Sequence, residues 1–315
     1  MLTATIAIGG NAILRAGQKG TAKEQLANLR KVCETIATLI EQDYDVVLTH
    51  GNGPQVGNIV LQQDSCTDTV PAMPLDVCVA ESQGMIGYML QQTLQSALAR
   101  RKIMKCVCSV VTQVVVDAGD PAFNKPTKPI GMYFSKEMAE KMAKERGWAM
   151  KEDKARGGYR RLVPSPRPID IVEKDSIKRL VFNPSGGYII IAAGGGGIPV
   201  ISTPQGFKGV EAVIDKDLAS GVLASSIDEK LFIMLTDVPQ VYIAYGKPDQ
   251  HALAKTTAAK MREYMKNGEF PAGSMGPKVE AAISFLEKGG KEVIITSPEA
   301  LLDALAGKAG TRIVG

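Results

Sequence analysis

The sequence predicts an α/β protein built on a largely parallel sheet. Short β-rich runs alternate with longer stretches of helical period along most of the 315 residues, the mark of strands joined through crossover helices. Three glycine clusters, at 9–10, 51–53 and 194–197, each follow such a run directly. Hydrophobic residues make up 45% and charged residues 22% of the chain, enough apolar material for one large core or two modest ones.

The candidate strands are Thr3–Ile8, Val46–Thr49, Cys106–Val116, Tyr188–Ala192, Leu231–Leu235 and Val293–Thr296. Between the first two, Thr21 and Glu24 form a capping box, and Leu26, Leu29, Cys33, Ile36 and Ile40 fall on one helical stripe. A second helix is expected after Pro54 and a third over roughly Ala80–Arg101. The interval from Asp117 to Pro168 differs in kind. It holds prolines at 121, 126, 129, 164, 166 and 168 with many lysines and arginines, interrupted by a helical stretch at Ser135–Arg146. Its frequent aromatic and aliphatic residues mark an insertion projecting from the sheet edge, not a linker. The α/β rhythm resumes at Val213.

Composition removes several classes of function. A net charge of +4, evenly spread, implies neither nucleic acid nor an acidic membrane as partner. Aromatics at 5% leave little for a base-stacking surface. No apolar run reaches the roughly 18 residues a membrane span needs, and the N-terminus lacks the form of a signal peptide. A cytoplasmic location is therefore expected. The five cysteines, Cys33, Cys66, Cys78, Cys106 and Cys108, show no CxxC spacing. Cys106 and Cys108 are expected on one strand face as small buried hydrophobes. With only His50 and His251, metal sites or chemistry built on several histidines are poorly supported, and no resident metal cluster is expected.

Glycine after a parallel strand lets the backbone approach a ligand and aim its N–H groups at an anion. Gly9, Gly10 and Asn11 end the first strand; Gly51, Asn52 and Gly53 end the second, with Pro54 suited to open a helix whose N-terminus favours an anion. One such cluster is an ordinary turn, whereas three at one sheet edge point to phosphate. The Walker A and GxGxxG spacings are absent, so neither a P-loop nor a dinucleotide fold fits. Cations stand beside structural punctuation: Lys128 between prolines in PTKPIG, Lys216 between Asp215 and Asp217, and Lys278 just after Pro277. The segment Leu231–Tyr245 gives a buried strand, a turn at Thr236 and Asp237, and the aromatics Tyr242 and Tyr245. It reads equally as an adenosine site or as packed tyrosines.

Taken together, GGNA (9–12), THGNGPQVG (49–57), MPLDVCVAESQGMIGYML (73–90), NKPTKPIG (124–131), VPSPRPIDIVE (163–173), GGGGIP (194–199), KGVEAVIDKDLAS (208–220) and GSMGPK (273–278) resemble the carbamate kinase branch of the amino acid kinase family. The resemblance runs end to end. It implies a three-layer αβα sandwich with a protruding subdomain near 117–168, an N-terminal lobe (1–205) for carbamoyl phosphate, a C-terminal lobe (206–315) for ADP or ATP with Mg²⁺, and a homodimer. By motif, Gly9, Gly10, Asn11, Gly51, Asn52 and Gly53 line the substrate site, while Lys128, Lys216 and Lys278 contact the transferred phosphoryl group and Asp217 orients them. Thr236, Asp237, Tyr242, Tyr245, Gly273, Ser274, Met275 and Lys278 take the nucleotide side. One departure stands out: the branch reads EDAGRG before an aromatic and Arg, whereas EDKARGGYRR (152–161) is one residue longer. Members of this branch serve arginine fermentation or purine, allantoin or oxamate breakdown. The alternatives are another amino acid kinase activity and a non-catalytic paralogue that only binds metabolite.

Overall fold

The computed structural model describes residues 2–15, 17–153, 157–184, 186–271 and 273–315. The first part of the chain runs β1 (Leu2–Ile8), α1 (Ala22–Glu41), β2 (Tyr44–His50), α2 (Gly53–Asp64) and α3 (Leu75–Arg100). Next come β3 (Cys106–Ser109), β4 (Gln113–Val116), β5 (Lys128–Phe134), α4 (Lys136–Arg146), β6 (Ala149–Glu152), β7 (Tyr159–Val163) and β8 (Pro168–Ile171). Then follow α5 (Lys174–Val181), β9 (Tyr188–Ile191), β10 (Ile198–Thr203), β11 (Gly206–Gly209), α6 (Lys216–Ser226) and β12 (Leu231–Leu235). The chain closes with β13 (Val241–Ile243), β14 (His251–Leu253), β15 (Lys255–Thr257), α7 (Ala258–Lys266), α8 (Met275–Glu287), β16 (Glu292–Thr296), α9 (Leu301–Leu305) and β17 (Thr311–Val314).

The central sheet has eight strands in the order β15-β17-β16-β12-β1-β2-β9-β3. Its six strands from β16 to β3 are mutually parallel, and β17 turns back antiparallel to β16. Because side chains alternate across a strand, each strand feeds two cores. Ile6, Ile8, Leu48, Ile191, Ile233 and Ile294 pack beneath α1, α3 and α9. On the opposite face Ala7, Phe232, Met234 and Ile295 meet α7 and α8, while Val47, Ile190 and Ala192 meet α5 and α6. This is the αβα sandwich. The 205/206 division lies in the turn of the β10–β11 hairpin, and the sheet runs unbroken from β1 to β12.

The α1 capping box is present, with Thr21 Oγ1 accepting from the Glu24 N–H and Glu24 from the Thr21 N–H. The third helix begins at Leu75, five residues before its expected start, because Glu211 accepts the Leu75 N–H at 3.0 Å. The run Cys106–Val116 is not one strand. Gln83 of α3 accepts the Thr112 N–H at 2.9 Å and donates to its carbonyl at 3.0 Å. That capture takes Thr112 out of the ladder and sends β4 into a second sheet, β11-β10-β4-β8. Cys106 is exposed, not buried, because β3 is an edge strand; Cys33 and Cys78 are buried.

Within the expected insertion, β5, β7 and β6 form a separate three-stranded antiparallel sheet carrying α4, which Ser135 caps. Positions 154–156 of the lengthened segment lie outside the described residues. The small sheet sits directly on α2: a Cβ at Gly57 would fall 2.1 Å from the backbone N and Cα of Gly131. Backbone cannot yield as a side-chain tip can, so Gly57→Ala should push the subdomain off α2. Overpacking of this kind costs about 1–3 kcal/mol, and urea unfolding should show at least that loss.

His50 closes β2 in full burial. Its Nδ1 lies 3.0 Å from the Gly51 carbonyl, and a Cβ at Gly194 would strike its Nε2 at 2.3 Å. Desolvation pushes its pKa down to about 4, assisted by the charge of Lys216. The folded state therefore binds fewer protons than the unfolded chain between pH 6.5 and 4. Stability is complete above pH 6.5 and falls as pH drops through that window. At pH 5 the loss assignable to His50 is about 2 kcal/mol. Urea melts at pH 7 and pH 5 should show a smaller pH difference for His50→Gln by roughly that amount.

Candidate active site

The carboxyl ends of β1, β2, β9, β12 and β16 share one edge of the sheet because these strands are parallel. The first glycine pair leads into a 3₁₀ turn at Gly10–Ala12. A Cβ at Gly9 would meet the Leu235 carbonyl oxygen at 2.9 Å, whereas one at Gly10 would meet open space. Gly10 thus offers bare backbone to the site. A Cβ at Gly51 would lie 3.3 Å from the Gly10 nitrogen and 3.5 Å from Lys216 Cδ. The first two glycine loops and Lys216 are therefore neighbours. Asn52 is 3% exposed and its amide donates to Ser82 Oγ at 2.8 Å. Gly53 opens α2.

The third glycine cluster has another part. Gly194, Gly195 and Gly196 are buried, and side chains there would collide with His50, Asn52 Nδ2 (2.1 Å) and the Ile214 oxygen (2.4 Å). These glycines let the 50–52 loop and the segment leading into α6 pack together.

Around that junction the lysines gather. Asp215 caps α6, its Oδ1 accepting the N–H groups of Asp217 (2.9 Å) and Leu218 (3.4 Å). Its Oδ2 takes Lys128 Nζ at 2.5 Å, drawing the first residue of β5 onto α6. Lys216 Nζ lies 2.5 Å from Asp217 Oδ1, and Lys278 Nζ lies 2.8 Å from Oδ2 of the same carboxylate. Thr49 Oγ1 is 2.5 Å from Ser220 Oγ, which donates to the Lys216 carbonyl at 2.5 Å, tying the first turn of α6 to β2. Helix α8 begins at Met275, two residues before Pro277. The proline loses no hydrogen bond there, since the first four helical N–H groups have no partner inside the helix. Helices α2, α6 and α8 all present N-termini to this region, adding to its positive potential.

Burial alone would raise the Asp217 pKa, yet the flanking ammonium groups of Lys216 and Lys278 outweigh it and hold the acid well below the usual carboxylate range. Asp215 is likewise lowered: desolvation acts upward, and Lys128 overcomes it. The two lysines on Asp217 respond in opposite senses. Burial lowers Lys216, with the charge of Lys278 adding to the drop, whereas for Lys278 the pull of Asp217 beats desolvation and its pKa rises. A pair shared three ways explains the difference. Three ammonium groups face two carboxylates, so the cluster carries one surplus positive charge.

Two cavities meet at Thr236 and Asp237, just past the end of β12. The smaller, about 230 Å³, is lined by Val238, Tyr242, Tyr245, Phe270, Ser274 and Met275 among others. The Tyr242 and Tyr245 rings stand 5.9 Å apart at a 52° tilt. Gly273 lies next to this lining with open space beside it. The larger cavity, about 490 Å³, reaches past Gly9 and Asn11 toward Lys31. Asn11 donates to Asp237, joining the β1 turn to the wall between the cavities. Asp237 also acts electrostatically on Lys278.

Lys128, Lys216, Lys278 and Asp217 thus lie together beside the Gly10 and Gly51 loops, and Thr236, Asp237, Tyr242, Tyr245, Ser274 and Met275 line the smaller cavity. Asp215 stands just before a helix, the place of a cap, whereas Glu269 and Phe270 carry no signal in the sequence. Glu269 reaches the cavity by accepting the Ala244 N–H at 2.9 Å, a long-range contact with no local signature.

The sequence model of the amino acid kinase family matches residues 3–297. The carbamate kinase of Thermococcus kodakarensis is 50% identical over 317 residues, spanning 100% of this chain and 99% of its own. That of Pyrococcus furiosus is 48% identical, spanning 98% of each. Among solved structures, carbamate kinase from Giardia lamblia bound to AMP-PNP superposes with a TM-score of 0.90 at 43% identity, covering 99% of this chain and 98% of the other. The chain belongs to the amino acid kinase family, and it is a kinase.

Proposed function

We propose that the protein is a carbamate kinase, moving a phosphoryl group reversibly between carbamoyl phosphate with ADP and carbamate with ATP, the carbamate exchanging with ammonia and bicarbonate. The observation that carries this is the surplus positive charge gathered at the sheet edge beside the Gly10 and Gly51 loops. Relatives at about half identity that bear the same name support it.

Phosphoryl transfer asks a protein for alignment and charge cancellation more than for covalent chemistry. The nucleophile is a β-phosphate oxygen of ADP in one direction and carbamate in the other, each already an anion. No general base is required, in keeping with a His50 held neutral by burial. In this reading the N-terminal lobe holds carbamoyl phosphate over Gly9, Gly10, Asn11, Gly51, Asn52 and Gly53, and Lys128 and Lys216 bear on the moving phosphoryl oxygens. Lys278 reaches them from the nucleotide side, and Asp217 keeps Lys216 and Lys278 from swinging apart. The smaller cavity takes the nucleoside, with Tyr242 and Tyr245 flanking the base and Thr236, Asp237, Gly273, Ser274 and Met275 around the ribose and phosphates.

Mg²⁺ held through nucleotide phosphates needs only one or two protein carboxylates and keeps several waters. The donor set fits: Asp215 and Asp217 are committed to lysines, while Asp237 stands on the wall between the cavities, where it would hold the hydrated ion. The ion would neutralise charge on the phosphate oxygens. The same reading includes a homodimer, a cytoplasmic setting, and net ATP formation in arginine or purine and allantoin-type nitrogen catabolism. No helix among the described residues is long and apolar enough to cross a membrane.

The purified protein with ADP and Mg²⁺ should form ATP from carbamoyl phosphate, read through a hexokinase-coupled assay, and use acetyl phosphate far less well. No ATP from carbamoyl phosphate would sink the assignment. Lys128→Ala and Lys216→Ala should each slow turnover about a hundredfold or more, as loss of a preorganised oxyanion partner does. Parental rates in both variants would remove the roles given to these lysines.

A further inference from the structure

We propose that His50 is a positioning residue for phosphoryl transfer: it locks the Gly51–Asn52 peptide so that the Asn52 N–H is aimed at the group being moved. This rests on the carbamate kinase reading above and deepens it, giving the loop after β2 one specific donor and that donor a specific support.

The four backbone polar groups of Gly51 and Asn52 have unequal fates. The Gly51 N–H donates to the Ile8 carbonyl at the end of β1 (3.1 Å), and the Asn52 carbonyl accepts the Val56 N–H of α2 (2.9 Å). The Gly51 carbonyl oxygen lies 3.0 Å from His50 Nδ1. The fourth group, the Asn52 N–H, has no partner among the described residues, although Asn52 is buried. Buried backbone N–H groups are nearly always paired, so this one is suited to a ligand oxygen. The Asn52 side chain is engaged elsewhere, donating to Ser82 Oγ. Through Gly51 the same loop borders Gly10 and Lys216, so the open donor belongs to the loop that meets the phosphoryl group.

A trans peptide is planar, and its C=O and N–H point in opposite directions. Whatever holds the Gly51 carbonyl therefore sets the direction of the Asn52 N–H. A carbonyl oxygen only accepts, so His50 Nδ1 carries the proton. The ring has little freedom to swing away. It is buried against Gly194, and with Gln83, Ser109 and Ile191 it lines a cavity of only about 30 Å³. Gln83 is itself fixed by two hydrogen bonds to the Thr112 backbone. Burial keeps the imidazole neutral, so the anchor adds no charge beside Lys216. Glycine resists backbone rotation less than any other residue, yet the close approach of Gly10 and Lys216 favours glycine at 51. The order that a side chain there would give comes from His50 instead.

The test is steady-state kinetics of ATP formation by the full chain carrying His50→Phe, His50→Gln or His50→Asn. Phenyl occupies the same place, with the small cavity beside the ring to take its extra atom, and has no donor. The Gln amide nitrogen reaches the position of Nε2, whereas that of Asn reaches the position of Nδ1. His50→Phe and His50→Gln should lower kcat/KM for carbamoyl phosphate about 10- to 100-fold, mostly through kcat, somewhat less than outright removal of a preorganised donor costs. KM for ADP should stay within about twofold, since uniform binding is untouched. His50→Asn keeps the donor and should hold kcat/KM within about threefold of the parent. Parental kcat/KM in both His50→Phe and His50→Gln overturns the proposal. So does a fall in His50→Asn equal to theirs, which would make the shape of the imidazole the requirement. Should His50→Phe fail to fold by circular dichroism, the Gln and Asn variants decide by the same constants. A parental protein that forms no ATP from carbamoyl phosphate would instead count against the activity itself.

Discussion

Asp217 sits between two ammonium groups in a place almost closed to water, and the arrangement of the active edge follows from what that requires. Taking charges out of water is costly, and a buried ion pair seldom stabilises a fold better than well-packed apolar side chains would. Here one carboxylate serves two lysines, and Lys128 is drawn in through the neighbouring Asp215. The surplus charge has no partner within the cluster, and burial already lowers Lys216. On the function proposed above, an arriving anion would supply the missing charge to a site already organised. Preorganised charge of this kind needs little rearrangement during transfer.

Holding that cluster in place accounts for features that look unrelated to it. The buried glycines at 194–196 exist because His50, Asn52 and Ile214 occupy the space where side chains would be. Their closeness brings the β2 loop against the segment that delivers Asp215. The Thr49, Ser220 and Lys216 chain of hydrogen bonds then pins the first turn of α6 to β2. The small sheet is placed by backbone contact between Gly57 and Gly131, which carries Lys128 to Asp215. Packing thus sets the spacing of the charges.

Much of this was legible in the sequence, though unevenly. Strand cores such as Leu231–Leu235 and the capped α1 are local patterns, and local patterns survive folding. The gathering of Lys128, Lys216 and Lys278 was legible only because each stands beside a proline or an acid that restricts it. What escaped were features made by distant partners. Gln83 breaks the run after Ser109 by taking both backbone groups of Thr112, and no spacing near residue 110 announces that. Glu211 likewise starts α3 early from 136 residues away. The strands of the small sheet hid among lysines and arginines because only Ile130, Gly131 and Val163 in them are fully buried, too few to show an alternating apolar pattern.

A chain with only two histidines, one of them buried and neutral, would be poorly equipped for hydrolysis by acid–base relay. It is well equipped for a reaction between two anions. Bringing two negative groups together is opposed by Coulomb repulsion that falls steeply once counter-charge is fixed nearby and water is excluded. Lysines serve better than histidines for this, since an ammonium starts from a pKa well above neutrality, and the pull of Asp217 raises that of Lys278 further. The absence of histidine chemistry and the presence of a shared, buried Asp217 are therefore two aspects of one solution: charge held in place, with no proton to move.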